Sequence, residues 1–311
     1  MPENNEKEKI VSLSKKAGEI AKTIKLELLP KIVLPKAKLL EIATSIEKKI
    51  YELGGSPAFP VNTCLDNIAA HYTPNIAEES IFPEEKILKV DFGVHIDGYS
   101  VDNAVSYYFG DNDDIRNMIE TAKDAVFMAI NNIRPGIQLA EIGGKIEDFV
   151  KERGFNVIEN LNGHKIEKYK LHGEKEVPTS SKTHAPGTIE PGEIYAIEIF
   201  VTTGNGYAKS SDDIRIYSLM PELPKRLPIR VQAARKILNF ISRNMRTLPF
   251  AVRWLLGKFD SATVKIGVAT LERQGVLIPY PVLQEDVNHP VAQHEETILV
   301  TKDDIIILTA I

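Results

Sequence analysis

The sequence has a single cysteine, Cys64, in 311 residues, which rules out a disulfide within the chain and a thiolate cluster around a metal. Any metal centre must then be built from histidine, aspartate and glutamate. No apolar run approaches the ~20 residues that a membrane helix needs, and the first ten residues lack the apolar core of a secretory leader. A cytoplasmic setting is expected. Aromatic residues make up only 7% of the chain, yet apolar residues reach 43%, enough to bury a full core in one large domain or two modest ones. The net charge of -5 is unevenly spread. Between 221 and 280, eleven Lys or Arg stand against three acids, so that segment carries +8 and leaves -13 on the remainder.

Helical spacing of apolar residues predicts a helix over 7–28 and another from near Pro35 to Gly54-Gly55, followed by extended sequence up to Phe109. The order then recurs. A helix from about Asp113 to Pro135-Gly136 and one from Leu139 to Gly154 precede strand-like sequence to about Ser210. This repeat points to an internal duplication whose sheets join into one, with helices covering one face. The basic segment interrupts the second block. It shows helical patterns around 230–242, 249–258 and 261–274, then a short strand over 276–282, an order that resembles a winged helix.

The stretch from Lys89 to Asp102 holds two strand patterns around a tight turn at Asp97-Gly98. With those two residues as the loop, Ile96 pairs with Tyr99, Asp91 faces Ala104 and Gly93 faces Asp102. Val90, Phe92 and Val94 then point one way, while Asp91 and Asp102 share the other face as diagonal neighbours. The hairpin is read as giving neither aspartate a cationic partner, so the two like charges need protons or a cation between them. A divalent ion meets that need; the alternative is that one aspartate supports the turn and the other meets solvent. Three further residues bear on the choice. His164 sits on a Gly-containing polar turn, Glu198 interrupts the apolar strand Ile194–Phe200, and of the adjacent Glu295 and Glu296 one must face inward by strand alternation. Two aspartates, one histidine and two glutamates suit hard or borderline divalent ions, which carboxylates can bridge.

In Ala69–Asn75, Val90-Asp-Phe-Gly93, Asn160-Leu-Asn-Gly-His164, Tyr195-Ala-Ile-Glu198 and Gln293-His-Glu295, taken in this order, the chain resembles the methionine aminopeptidases, within the wider family of prolidase, aminopeptidase P and creatinase. The segment 221–280 matches the insertion of the type 2 enzymes. The resemblance implies an α+β pita-bread fold, in which helices cover a pseudo-symmetric curved antiparallel sheet. It also implies a catalytic domain of 1–220 and 281–311, with a winged-helix-like subdomain inserted between. By position, Asp91, Asp102, His164, Glu198 and Glu295 are implied as ligands of two divalent ions (Co, Mn, Fe or Zn), with Asp102 and Glu295 bridging. His71, His172 and Glu198 are implied as catalytic residues, and Phe59, Leu171 and Tyr280 as lining a methionine pocket with the two histidines. The other four histidines, among them His95 and His294, are read as structural or exposed.

The implied reaction is removal of the initiator methionine from nascent polypeptides whose second residue is small, through a water activated between the two ions. Ser211–Tyr217 departs from the histidine-containing sequence of eukaryotic relatives, which leaves one pocket wall open, and the missing N-terminal extension points to the short, archaeal-like form. The expected partners are nascent chains beginning with Met, no membrane, and ribosomal RNA at the basic segment, unless its arginines pair with the acidic body or simply face water. A monomer is expected. A prolidase-like dipeptidase and a non-enzymatic binding module are the competing readings.

Overall fold

The computed structural model describes residues 2–223 and 228–310, with side chains from residue 8 onward. Lys225 and Arg226 of the basic segment lie outside the described residues. Helix Pro2–Thr23 passes through a π-turn, Ile24–Leu28, into a last turn, Leu29–Ile32, so it starts earlier and runs further than its apolar spacing predicts. Helices Leu39–Glu52, Asp113–Asn132 and Ala140–Glu152 fall where the repeat predicts them. The second helix of each pair stops just before a glycine with positive φ, Gly54 at 84° and Gly154 at 83°, a backbone state that side chains with a Cβ disfavour.

The main sheet has ten strands, and its central path is antiparallel throughout. It runs from Ser56–Pro57 through Leu88–Ile96, Tyr99–Tyr107, Val291–Val300, Ile194–Thr202 and Gly163–Ile166 to Glu176–Val177. The two halves of the repeat therefore meet between Tyr99–Tyr107 and Val291–Val300. Each helix pair covers its own half. Val90, Phe92 and Val94 pack with Ala17, Ile24, Ile42 and Ile46, while Ile197, Ile199 and Val201 pack with Ala122, Val126, Ile142 and Ile146. With the helix-facing side sealed by apolar contact, the opposite face is left for polar chemistry.

The basic segment has its own core, formed by helices Gln232–Asn244, Val252–Leu256 and Ser261–Arg273. The strand that follows runs Leu277–Gln284, and its partner is not a neighbour in sequence. It pairs with Lys209–Leu219, which precedes the helices, in a four-stranded sheet completed by Phe250–Ala251 and Ile68–Ala70. The unit predicted as 221–280 therefore does not close on itself. Tyr217 and Leu219 belong to its core, and Leu283 pairs with Ala70 of the body.

Candidate active site

The hairpin register is the one counted from the turn: Ile96 opposite Tyr99, Gly93 opposite Asp102 and Asp91 opposite Ala104. Asp97 and Gly98 both have positive φ, as a two-residue type I′ turn requires. What the sequence does not disclose is how this row continues. Ala104 pairs with Glu295, and Glu295 pairs with Glu198, so Asp91, Ala104, Glu295 and Glu198 form one line across four strands. Asp102 lies two residues from Ala104. His164 pairs with Ala196, two residues from Glu198. Side chains two apart on a strand share a face, so the register alone collects all five predicted ligands, and the small methyl of Ala104 leaves room among them.

All five line one cavity of about 280 Å³. Ligand atoms of Asp102, His164 and Glu295 lie within 4.8 Å of one another, and His164 Nε2 is 3.7 Å from Asp102 Oδ2 and 3.8 Å from Glu198 Oε1. Burial is the main force on these groups. It pushes the Asp91 carboxyl up to about 7, against the hydrogen bond from Asn62 that holds it down. Asp102 is raised well above the usual range by burial and then by Asp91 and Glu198, Glu198 by burial and then Asp91, and Glu295 by burial and then chiefly by Asp102 and Glu198. The His164 imidazole is pushed down to about 4 by burial, and His172 well down by burial and by His164 and His71.

The donor set fits a divalent metal. Asp91 Oδ1, Asp102 Oδ1 and Glu295 Oε1 are buried without a hydrogen-bond partner, a state that costs about 1–3 kcal/mol per group or more for charged ones unless something completes them. Lys89, two residues before Asp91, corrects the expectation that no cation lies close in sequence, yet it does not serve the site. It is fully buried, and its ammonium donates to the Asp66 carbonyl.

A pH dependence follows for the metal-free chain. A carboxyl whose pKa is raised on folding contributes stability that is full below its ordinary range and is lost as pH rises, toward about 7 for Asp91. The lowered histidines act oppositely: their contribution is present above about 6.5 and is lost as pH falls, toward about 4 for His164. Of the site's groups only the carboxyls still change above pH ~6.5; Lys89, which burial lowers to about 8, acts oppositely from near that value upward. In chelator, the melting temperature is expected to fall between pH ~6.5 and ~8, and added divalent metal to reverse that fall. A flat or rising chelator profile would contradict the electrostatics described here.

Phe59, His71, Leu171, His172 and Tyr280 line the same cavity. The Phe59 ring can lie there because position 93 is glycine: a Cβ on Gly93 would come within 2.4 Å of Phe59 Cε1. His71 has a φ of 65°, a strained state for a residue with a Cβ and one that clusters at functional positions. Its Nδ1 is 3.1 Å from the Pro281 carbonyl. A carbonyl only accepts, so Nδ1 carries the proton and Nε2 is left as an acceptor. His172 packs 4.4 Å from the His164 ring and 6.0 Å from Tyr280. Ile216 and Pro249 supply the wall that Ser211–Tyr217 left open, and Asn160, Asn162 and Glu176 also line the cavity. These residues were not predicted, because nothing local marks an isoleucine or an asparagine as facing a site. Asn62, which donates to Asp91 Oδ2 at 3.3 Å, was missed for the same reason.

A closed set of carboxylates and one imidazole, short of protons and beside an apolar pocket, defines a metal-binding hydrolytic centre on an antiparallel two-fold repeat. The family model for metallopeptidase family M24 matches residues 12–219, and the chain belongs to that family. It is 44% identical over 293 residues to a methionine aminopeptidase of Pyrococcus abyssi, covering 94% of this chain and 97% of that one. Solved structures share its fold, among them two that span nearly the whole chain. One is a thermophilic Arx1, at TM-score 0.82 and 19% identity, covering 96% and 90% of the two chains. The other is a methionine aminopeptidase of Thermotoga maritima, at TM-score 0.69 and 20% identity, covering 97% and 96%. The curved sheet and its helices are thus the pita-bread arrangement of this family.

Proposed function

We propose that this chain is a two-metal methionyl aminopeptidase acting in the cytoplasm on new polypeptides whose second residue is small. The carrying observation is the cross-strand row itself, with Asp91, Asp102, Glu198 and Glu295 on one face and His164 beside them, opening onto an apolar cavity. Among the described residues no helix is long and apolar enough to cross a membrane. Asp91, Asp102, His164, Glu198 and Glu295 would hold the two ions. When bound, the ion pair supplies an activated water and a polarised scissile carbonyl near neutral pH.

The chain's own groups do the rest. Phe59, Leu171, Ile216 and Tyr280 offer an apolar sleeve for an unbranched thioether side chain. Glu198 moves the proton of the attacking water to the leaving amine. His172, kept neutral by burial, donates a hydrogen bond as negative charge develops on the substrate amide. His71 has its donor committed to Pro281, so it accepts from a substrate N–H instead of stabilising an oxyanion. The small second residue is supported by rigid walls. Asn160 is pinned to Ala208 at both its amide atoms, at 2.8 and 2.9 Å, and Asn162 accepts from Thr179 N at 3.1 Å. The test is hydrolysis of Met-Ala-Ser against Met-Leu-Ser and an Xaa-Pro dipeptide with each candidate metal. Turnover of the first alone is expected, and turnover of the dipeptide alone would replace this reading with a prolidase-like one.

A second role rests on the basic segment. Of its nine described cations only Arg253 is buried in an ion pair; the other eight are exposed, and none forms an ion pair among the described residues. Arg235, Lys236 and Arg243 share one helix face, and Lys265 and Arg273 another. This favours docking on ribosomal RNA through phosphates over pairing with the acidic body. Co-sedimentation with ribosomes is expected to weaken by about tenfold or more between ~50 and ~200 mM salt, and to be lost in Arg235→Ala/Lys236→Ala/Arg243→Ala. Binding indifferent to both changes would end the idea.

A further inference from the structure

The seam where the two halves meet is built differently from its neighbours. Tyr99–Tyr107 and Val291–Val300 pair through their backbones at one position, Glu295 opposite Ala104, whereas each strand makes nine such pairs with its outer neighbour. On either side of that pair a buried hydroxyl replaces the ladder. Thr297 Oγ1 donates to the Asp102 carbonyl at 2.6 Å and accepts from the Asp102 N–H at 2.7 Å. Ser106 Oγ donates to the Gln293 carbonyl at 2.7 Å and accepts from the Gln293 N–H at 2.9 Å.

The two contacts are related by the pseudo-twofold. Each hydroxyl lies two residues beyond the Ala104–Glu295 pair on its own strand, and each grips the residue two before that pair on the other. Thr297 has no backbone to spare for Asp102, since its N–H donates to Thr309 Oγ1 and its carbonyl accepts from Leu308 N, both at 2.8 Å. Its side chain carries the pairing instead. A side chain interposed between two backbones holds them further apart than the ~4.8 Å of a direct ladder. The strands so spaced carry Asp102 and Glu295.

We propose that Thr297 and Ser106 are positioning residues: two hydroxyl staples that set the separation of Asp102 and Glu295, so that the site accepts a second divalent ion as well as a first. The inference rests on the two-ion reading. Thr297 touches no reacting atom. It acts by fixing the backbone of Asp102 against the strand that carries Glu295, as supporting groups do when they orient metal ligands.

The test is Co²⁺ titration, by calorimetry and by visible absorption, of wild type, Thr297→Val and Thr297→Ser. Wild type and Thr297→Ser are expected to take two equivalents. Thr297→Val keeps the shape and loses the hydroxyl; it is expected to take the first equivalent with unchanged affinity and the second about 10–100-fold more weakly, with an altered absorption at the second step. At limiting metal its kcat falls while KM holds, and excess metal restores kcat. Should Thr297→Val fail to fold, Ser106→Ala at the symmetric staple carries the same test with the same expected weakening. Equal two-step binding by wild type and the hydroxyl-free variant overturns the proposal alone, as does an equal loss at both steps that Thr297→Ser does not rescue. A wild-type protein that takes up one equivalent overturns the two-ion reading and this proposal together.

Discussion

Asp102→Asn is expected to lower kcat/KM on Met-Ala-Ser by about a thousandfold or more while raising the melting temperature of the metal-free protein. Both effects come from one property. Asp102 is buried and lies within reach of Asp91, Glu198 and Glu295, which together make its charge expensive without a cation. In the two-metal reading that charge would help hold the ions, and its loss would remove the activated water that the reaction needs near neutral pH. Without metal, burial and the neighbouring Asp91 and Glu198 penalise the charged form of Asp102 in the folded chain, and asparagine removes that penalty. Melts with and without chelator, read beside the kinetics, separate the two. Activity within tenfold of wild type, or a metal-free variant less stable than wild type, would show that Asp102 is not a ligand held at a cost to folding.

The parts of this site that were legible in the sequence are those fixed by local counting. A two-residue turn sets the Asp91–Asp102 register outright, because each step away from Asp97-Gly98 is forced. The helix pairs were legible because their apolar spacing is long and each second helix ends at a glycine in the left-handed state. The join between Ala104 and Glu295 was not, since 190 intervening residues carry no information on which strands meet. The insert failed at the same point: the partner of Leu277–Gln284 lies on the far side of three helices.

Charge misled where burial was two-sided. Strand alternation requires one of Glu295 and Glu296 to face the site, and Glu295 lines it. Yet Glu296 is equally buried, since Lys25 donates to both its oxygens at 2.8 and 2.9 Å. A lysine in a helical pattern reads as solvent-facing. Here it lies in the π-turn Ile24–Leu28, four residues after the buried Ala21, and its ammonium is turned inward. His294, read as structural or exposed, is buried beside this pair, with Nε2 3.4 Å from Glu296 Oε1.

Arg253→Leu is expected to cost about 3–5 kcal/mol of stability. Arg253 is the one described cation of that segment that turns inward. It pairs with Glu47 through two guanidinium nitrogens, and donates to the Pro74 carbonyl and to Thr73 Oγ1, each at 3.0 Å. Glu47 also accepts from Trp254 Nε1 at 3.0 Å and from Val61 N at 3.2 Å. One buried carboxylate thus ties Val252–Leu256 to helix Leu39–Glu52 and to the loop just past His71. Removing the arginine leaves Glu47 charged, buried and short of its main partner, which is why the loss exceeds that of a surface pair, worth about 0–1 kcal/mol. Replacing both, as Arg253→Leu/Glu47→Leu, is expected to recover much of the loss, because an apolar pair does not have to be desolvated. Denaturant unfolding of the two single variants and the double one measures the coupling directly. A single variant that loses less than about 1 kcal/mol, or a double variant no better than the worse single, would mean that the insert is held to the body by its apolar core and shared sheet instead of by this ion pair.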